Sequence, residues 1–369
     1  MLAVNRPLLP GFDRLRPYLE EIDTARFYTN YGALHDRLLA RLGGHFGIGA
    51  EYLALANSGT SALTALILTM AGTATPDRPL CICPSYTFVA TAVAARACGF
   101  TPFLADADAR SWALDPDRLE RLPELRQAGA VIVVAPYGRT PDLAAWQAFA
   151  ARTGVPTIID AAACFDTIDA AMVCAGPVPV AISLHATKTF STAEGGLIVS
   201  GDAGLVVRAV RAMNFGFYGD RQSQGPSING KMSEYHAAVG LADLDGWAAK
   251  RHGFRAAASN YAAAAEAKGL AGRIIVDAAH ANPYALFLAD DAAQAAAAIE
   301  ALRRLHIDSR FWYGRGLHHQ PHYRDCPAEA LAVTDNLTPR LLGLPFAPDL
   351  GHADIGRVVH AVAGAIGRP

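Results

Sequence analysis

The sequence lacks the features that mark nucleic-acid-binding and disordered proteins. Its 32 Lys and Arg residues nearly balance its 34 Asp and Glu residues, and the formal net charge is −2. No basic run is interleaved with aromatic residues, so we expect no nucleic-acid partner. Hydrophobic residues make up 52% of the 369 positions and charged residues 18%, which argues against disorder. Length and composition therefore predict a globular protein of about two domains that binds small molecules or other proteins.

Cysteines and long apolar runs are also scarce. Six cysteines are too few for a disulfide scaffold, and we interpret Cys81 and Cys83 as small buried thiols in a reducing cytoplasm. The longest apolar runs, such as 61–71 and 128–136, fall well short of the roughly 20 residues of a membrane-spanning helix. Segment 1–7 has no secretory-signal pattern. We therefore predict a cytoplasmic protein with no membrane partner.

Two motifs suggest other chemistries but lack the required pattern. His318, His319 and His322 resemble a metal cluster, yet Pro321 prevents the single helical face of a zincin and no HExxH occurs. The glycine-rich stretch 42–49 follows a helix-like segment rather than a strand, so it is not a dinucleotide-binding motif. No Walker-type lysine motif is present. We predict no metal site.

Strand-like and helix-like segments alternate through the first two thirds of the chain. The continuous β-branched run 131–134 is typical of a strand covered on both faces. Other predicted strands are 80–83, 101–105, 156–159, 180–183 and 196–200, and predicted helices are 61–70, 86–97 and 141–151. This rhythm predicts an α/β domain with a mostly parallel sheet, in which ligands gather at the carboxyl ends of the strands.

The pattern changes from about residue 246. Alanine-rich helical stretches flank one strand-like segment, and a helix closes the chain. The predicted helices are 256–268, 292–305 and 352–366, with extended pieces at 284–288, 307–313 and 341–345. We predict a large domain over residues 1–245 and a smaller α+β domain over residues 246–369.

Two charged residues at predicted strand ends are candidates for chemistry. Asp160 directly follows the strand 156–159 and would point into the ligand crevice, although a helix cap would use the same residue type. Lys188 follows the strand 180–183 among small hydroxylated residues. Lysine is rarely held inside a protein unless it is paired or covalently engaged. The alternative for Lys188 is a surface lysine in a polar loop.

Two further segments complete a recognisable set. The small polar residues 57–62 open an apolar helix, where free amides suit a phosphate, although any helix start needs such a cap. Phe88 lies just beyond a strand end, where its ring could cover a flat cofactor or pack into the core. A Schiff-base amine, an acid for a pyridinium nitrogen, a phosphate cup and a stacking ring are what pyridoxal 5'-phosphate (PLP) requires.

The sequence resembles the DegT/DnrJ/EryC1/StrS family of PLP-dependent sugar aminotransferases, a fold-type-I group. The matching stretches are 29–32, 57–63, 84–91, 158–162, 183–188, 194–196, 214–217, 230–238 and 317–318. They follow the family's order over roughly residues 6 to 350. The resemblance implies a large α/β domain with a mostly parallel seven-stranded sheet and a smaller α+β C-terminal domain.

The resemblance also implies roles for individual residues. Lys188 would be the Schiff-base lysine and Asp160 the partner of the pyridine nitrogen, and both would be catalytic. The implied cofactor-binding residues are Gly59, Thr60, Ser61, Phe88, Asp160, Ser183, Lys188 and Asn229. In the family the asparagine at the position of Asn229 reaches the phosphate from a neighbouring subunit, which implies a homodimer with shared active sites. The implied substrate-binding residues are Tyr31, His185, Lys231 and His318.

The function that follows from the resemblance is transamination. Glutamate would donate an amino group, leaving as 2-oxoglutarate, to a nucleotide-linked keto-deoxysugar, with a dTDP-4-keto-6-deoxyhexose as the closest match. Ala163 and Ala135 depart from the family, which usually carries polar residues there. Alternatives left open are a relative acting on another keto substrate and a catalytically weakened partner subunit or sensor. Lys188 argues against the dehydratases of the family, which carry histidine in its place.

Overall fold

A seven-stranded sheet within residues 53–199 is the centre of the fold. The computed structural model describes residues 1–217 and 219–367, so the last two residues of the predicted C-terminal domain lie outside it. The strands are β1 (Leu53–Ala56), β2 (Leu80–Pro84), β3 (Thr101–Ala105), β4 (Ala128–Val134), β5 (Thr157–Asp160), β6 (Val180–Ser183) and β7 (Gly196–Val199). Their order is β1-β7-β6-β5-β4-β2-β3. Strands β2 to β6 run parallel, and β7 is antiparallel to both neighbours. The predicted mostly parallel seven-stranded sheet is confirmed.

Helices cover both faces of this sheet. They are α1 (Phe12–Ala25), α2 (Ala33–Phe46), α3 (Gly59–Met70), α4 (Ala90–Ala97), α5 (Pro116–Glu120), α6 (Leu143–Thr153), α7 (Ala170–Cys174), α8 (Ala203–Met213) and α9 (Glu234–Asp245). Successive strand residues point to opposite faces. Val131 and Val133 accordingly pack in one core with residues of α2 and α6, and Ala130 and Ile132 pack in a second core with residues of α3 and α4. Burial on both faces explains why β4 is apolar without alternation.

A three-stranded antiparallel sheet occupies the C-terminal third. Its strands β8 (Ile274–Ile275), β9 (Ala285–Leu288) and β10 (Leu341–Leu344) lie in the order β10-β9-β8. The accompanying helices are α10 (Trp247–Ala267), α11 (Ala292–Arg304), α12 (Ala332–Leu337) and α13 (His352–Ala365). Gly246 separates α9 from α10. The division of the chain into domains at this point stays a prediction.

Several predicted boundaries differ from the structure. Helix α4 begins at Ala90 rather than 86, because the N–H of Thr87 turns back to the carbonyl of Ser85 at 3.1 Å. Helix α6 begins two residues later than predicted, because Asp142 is its N-cap. Helix α10 extends nine residues further toward the N-terminus, and 307–313 forms only isolated bridges.

Two further observations bear on composition. None of the described helices is long and apolar enough to cross a membrane. All six cysteines are free thiols, and all except Cys174 are buried. Burial raises the pKa of Cys83 to about 12, so this thiol stays neutral and contributes to packing.

Candidate active site

Asp160 ends β5 at the carboxyl edge of the large sheet. The hydroxyl of Thr91, on α4, donates to its Oδ2 at 2.8 Å, and the N–H of Ala162 donates to its Oδ1 at 3.2 Å. The residue is only 6% exposed. Burial raises the pKa of this carboxyl, whereas Thr91, the nearby ammonium of Lys188 and Ala162 oppose the rise. A buried carboxylate whose charge is incompletely compensated is suited to binding a cation.

Lys188 lies in the loop that follows β6, the neighbour of β5. Its Nζ is 3.4 Å from the hydroxyl of Tyr284 and 5.8 Å from the centre of that ring. Its charge acts directly on Asp160, since it lowers the pKa of that carboxyl. The two predicted catalytic residues therefore meet at one edge of the sheet.

The start of α3 lies beside the end of β6. Ser58 caps this helix, because its Oγ accepts the N–H of Ser61 at 3.0 Å. A Cβ added at Gly59 would be 3.0 Å from the Cβ of Ser183, so the helix start packs directly on that strand end. The first amides of a helix, here those of Gly59 and Thr60, have no partner within the helix and attract anions. The structure thus brings the four predicted phosphate-binding residues Gly59, Thr60, Ser61 and Ser183 together.

Phe88 lies in the loop between β2 and α4. Its side chain is largely in the open, since the residue is 59% exposed. That exposure excludes the core-packing alternative. The N–H of Thr91 bonds to the carbonyl of Phe88 at 3.3 Å, and Thr91 in turn bonds to Asp160. Thr91 thus links the backbone of Phe88 to the carboxylate of Asp160 through two hydrogen bonds. The exposed ring of Phe88 is free to stack on a ligand.

Among the predicted substrate residues, His185 lies in the same loop as Lys188. Its Nδ1 is 2.8 Å from the Oγ1 of Thr187, and its Nε2 is 3.5 Å from a carboxylate oxygen of Glu194. The carbonyl of His185 accepts the N–H of Lys188 at 2.9 Å. His185 therefore shapes the turn that carries the lysine.

Asn229 and Lys231 form a second cluster close to the start of α3. The Nζ of Lys231 donates to the Oδ1 of Asn229 at 2.8 Å and lies 4.3 Å from the ring centre of Phe215. Burial lowers the pKa of Lys231. The side-chain amide of Asn57 donates to the carbonyl of Asn229 at 3.1 Å. Asn229 thus lies beside the helix cap of its own chain.

Tyr31 is held by helices rather than by the loops of the site. Its hydroxyl is 3.5 Å from the carbonyl of Val210, and its ring lies edge-on to His35 at 5.1 Å. Burial raises the pKa of the Tyr31 phenol. Among the residues that the structure describes, no hydrogen bond joins Tyr31 to Lys188.

His318 is engaged at both ring nitrogens. Its Nδ1 is 2.7 Å from the Oγ of Ser85, and its Nε2 is 2.9 Å from a carboxylate oxygen of Asp335. The potential ligand atoms of His318, His319 and Asp335 lie within 4.8 Å of one another, but hydrogen bonding already accounts for the ring of His318. His318 binds to the loop after β2 through Ser85, and no hydrogen bond joins it to Lys188 among the described residues.

Two residues of the site were not assigned from the sequence. Thr91 belongs to the stretch 84–91 that carries the resemblance, but nothing there indicates its bond to Asp160. Tyr284 lies 96 positions from Lys188, just before β9, and its ring meets Tyr137 edge-on at 5.3 Å. Only the packing of the small sheet against the large one brings Tyr284 to the lysine, so no local signal could have found it.

Comparison with known proteins places these residues in a family context. The model of the DegT/DnrJ/EryC1/StrS aminotransferase family matches residues 13–363. Protein Rv3402c of Mycobacterium tuberculosis is 32% identical over 98% of this chain and 89% of its own. The dTDP-4-amino-4,6-dideoxy-D-glucose transaminase of Escherichia coli is 27% identical over 98% of both chains. The crystal structure of DesI, determined in the presence of its TDP-sugar product, has a TM-score of 0.85 and 29% identity, covering 100% of this chain and 94% of that one.

Proposed function

This chain belongs to the DegT/DnrJ/EryC1/StrS aminotransferase family of PLP-dependent sugar aminotransferases, and we propose that it transfers an amino group from glutamate to a dTDP-4-keto-6-deoxyhexose. The choice of substrate rests on the E. coli relative, whose name specifies a dTDP-4-amino-4,6-dideoxy-D-glucose transaminase, and on DesI. Full-length similarity to both supports a nucleotide-linked sugar as the amino acceptor.

The observation that carries the proposal is a buried acid and an amine at the same edge of the sheet, beside a helix N-terminus. Asp160 lacks a full counter-charge, since burial raises the pKa of its carboxyl despite Lys188. A pyridinium nitrogen would supply that charge, and the first amides of α3 would receive a phosphate. The residues present therefore fit PLP, with Gly59, Thr60 and the other predicted cofactor-binding residues around it.

Each residue then has a defined task. Bound PLP supplies an electron-accepting ring that stabilises negative charge on the Cα of the amino donor. Asp160 keeps a proton on the ring nitrogen by offering it a buried negative charge. The Nζ of Lys188 takes the proton from that Cα and delivers it to the next acceptor atom. Phe88 would cover one face of the bound ring and shield it from water.

We also propose that the active protein is a homodimer with Asn229 near the neighbouring site. Asn229 is exposed. Tyr28 and Tyr235, which stack at 6.2 Å, leave apolar surface in the open together with Phe27. A second copy of the chain would bury such a patch. We assign the substrate roles of Tyr31, Lys231 and His318 to this arrangement, because none of them is hydrogen-bonded to Lys188 within the described part of one chain.

Absorbance spectroscopy tests the function directly. Purified protein supplied with PLP should show a band for lysine-bound cofactor, and glutamate should bleach that band. Lys188→Ala should abolish the band, whereas Lys268→Ala, at the end of α10, should keep it. Keto sugars linked to dTDP, UDP or GDP should then be compared as acceptors, and we expect the dTDP sugar to be aminated. Absence of any band after PLP is supplied would contradict the proposal.

A further inference from the structure

Tyr284 brings a hydroxyl group to the predicted Schiff-base lysine. Its phenol oxygen lies 3.4 Å from the Nζ of Lys188, within hydrogen-bond distance. The residue comes from the small antiparallel sheet, directly before β9, whereas Lys188 follows a strand of the large sheet. One side chain thus joins the two sheets at the reacting amine.

The backbone of Tyr284 is anchored by a buried asparagine. Asn282, which is 6% exposed, accepts the N–H of Tyr284 at 3.0 Å with its Oδ1. Its Nδ2 donates to the carbonyl of Tyr137 at 2.9 Å. The ring of Tyr284 is packed edge-on against Tyr137 at 5.3 Å and against Trp312 at 5.4 Å. These contacts leave the phenol few orientations, so its hydroxyl is preorganised toward the lysine.

The same wall of the site contains Ala163, where the family usually has a polar residue. A Cβ added at Gly138 would lie 2.7 Å from the side-chain nitrogen of Asn282 and 3.1 Å from the carbonyl of Ala163. Asn282 and the backbone of Ala163 are therefore close neighbours. Ala163 has no polar side-chain atom, and the side chain of Asn282 makes its hydrogen bonds to the backbones of Tyr284 and Tyr137.

The other groups that face Lys188 do not duplicate this contact. Asp160 is a charge partner that is already bonded to Thr91 and Ala162. Burial raises the pKa of the Cys164 thiol to about 11, so that group remains neutral. Burial also raises the pKa of the Tyr313 phenol, which lies deeper in the aromatic cluster. Among the described residues, the hydroxyl in hydrogen-bond contact with the amine is that of Tyr284.

We propose that Tyr284 is a positioning residue for Lys188, holding the amine through a hydrogen bond from the second sheet. The inference rests on the proposed function, because it assigns Tyr284 to the lysine of that reaction. The phenol oxygen accepts a hydrogen from Nζ when the amine is protonated, and the phenol donates to the nitrogen when it is not. It thereby holds Nζ in one place in both states.

The first test uses the cofactor-free protein and reads out Lys188 itself. Reductive methylation with formaldehyde and cyanoborohydride, followed by peptide mass spectrometry, measures the rate at Lys188 relative to that at Lys268. Tyr284→Phe should raise this relative rate roughly two- to twelvefold, the factor expected when one ordinary hydrogen bond to the amine is lost. Tyr86→Phe is the matched control, since it removes a hydroxyl of the same cluster that bonds to Tyr137 at 2.8 Å. It should leave the ratio at the wild-type value.

The second test uses protein loaded with PLP. The pH midpoint of the cofactor band should move in Tyr284→Phe and stay in place in Tyr86→Phe. Asn282→Ala frees the backbone of Tyr284 while keeping its phenol, so it should change the methylation ratio in the same direction by a smaller factor. If Tyr284→Phe does not fold, the methylation ratio of Asn282→Ala tests the positioning role of Tyr284 instead.

The outcomes separate this inference from the proposed function. Failure of the wild-type protein to form a cofactor band would overturn the function, yet the methylation ratio would still report on the contact between Tyr284 and Lys188. Equal ratios in the wild type, Tyr284→Phe and Asn282→Ala would overturn the positioning role, even if the enzyme transaminates normally.

Discussion

Replacing Lys250 should destabilise the protein strongly, because it would leave a buried carboxylate without its counter-ion. The Nζ of Lys250, on α10, lies 3.0 and 2.9 Å from the two carboxylate oxygens of Asp243, on α9. Their side chains are only 7% and 5% exposed. Asp243 also accepts the N–H of Ser191 at 2.9 Å. Ser191 follows Lys188 by three positions, so the ion pair of Asp243 and Lys250 also anchors the backbone of the loop that carries Lys188.

The size of the effect follows from the burial of the pair. Removing one partner of a buried ion pair costs about 3–5 kcal/mol, whereas replacing both partners with neutral groups is often close to neutral. Lys250→Met keeps the length of the side chain and should therefore lower the free energy of unfolding by about 3–5 kcal/mol. The double variant Asp243→Asn, Lys250→Met keeps an oxygen for Ser191 and should recover most of that loss.

The loss in Lys250→Met should also depend on pH. Burial raises the pKa of Asp243, and Lys250 opposes that rise. Without the lysine, Asp243 has a higher pKa in the folded chain than in the unfolded chain. Between these two pKa values the folded chain therefore binds more protons than the unfolded chain. Stability then falls as pH rises through that range. The destabilisation should be smaller at pH 5 than at pH 8.

Urea unfolding of the cofactor-free protein measures these differences. Lys268→Met is the matched control, because Lys268 lies at the end of the same helix and has no carboxylate partner within the described residues; it should change stability by less than about 0.5 kcal/mol. A Lys250→Met variant as stable as this control, or a double variant no more stable than the single one, would refute the reasoning.

Two further predictions concern the acid and the helix cap. Asp160→Asn should make the cofactor-free protein more stable at pH 8, by about 1.4 kcal/mol for each unit by which burial raises the carboxyl pKa, and the gain should vanish in unfolding curves at acid pH. The same variant should bind PLP more weakly, and equal stability at both pH values would contradict the argument. Ser58→Ala should cost about 1 kcal/mol in urea unfolding, because the N–H of Ser61 loses its acceptor. Ser58→Asn should restore the loss, and a Ser58→Ala protein as stable as the wild type would show that the cap contributes nothing.

The sequence predicted the parts of the fold in which local pattern and burial agree. Strand β3 begins and ends as predicted, and the β-branched run 131–134 lies inside β4. The antiparallel strand β1 was not predicted, because Leu53–Ala56 contains only Leu and Ala and no β-branched residue that would distinguish it from a buried helix segment. Helices α1, α8 and α9 were also missed, and α2 was expected only as an unbounded helical segment before residue 42. In α9 the apolar positions do not form one stripe, because the helix is buried on several sides.

The sequence predicted those residues of the candidate site that lie at the carboxyl ends of strands. Asp160 and Lys188 follow two neighbouring strands, and parallel strands bring their carboxyl ends to one edge. Thr91 and Tyr284 could not be predicted in this way. They reach the site from a helix and from the second sheet, and their contacts depend on packing between segments distant in sequence. Roles carried by a second subunit, such as that of Asn229, stay predictions for the same reason.

The buried acid shows why this site suits a tightly held ligand. An uncompensated charge at Asp160 opposes folding of the cofactor-free chain, since burial raises the pKa of the carboxyl despite three opposing groups. A cationic ring bound there would relieve that cost, and any ligand that binds only the folded state adds its binding free energy to stability. The unfavourable free energy of burying the Asp160 charge is therefore partly recovered when the cofactor binds, which increases the affinity for the cofactor. Thr91, which bonds to Asp160 and keeps it aimed at the edge of the sheet, holds the acid ready before the ligand arrives.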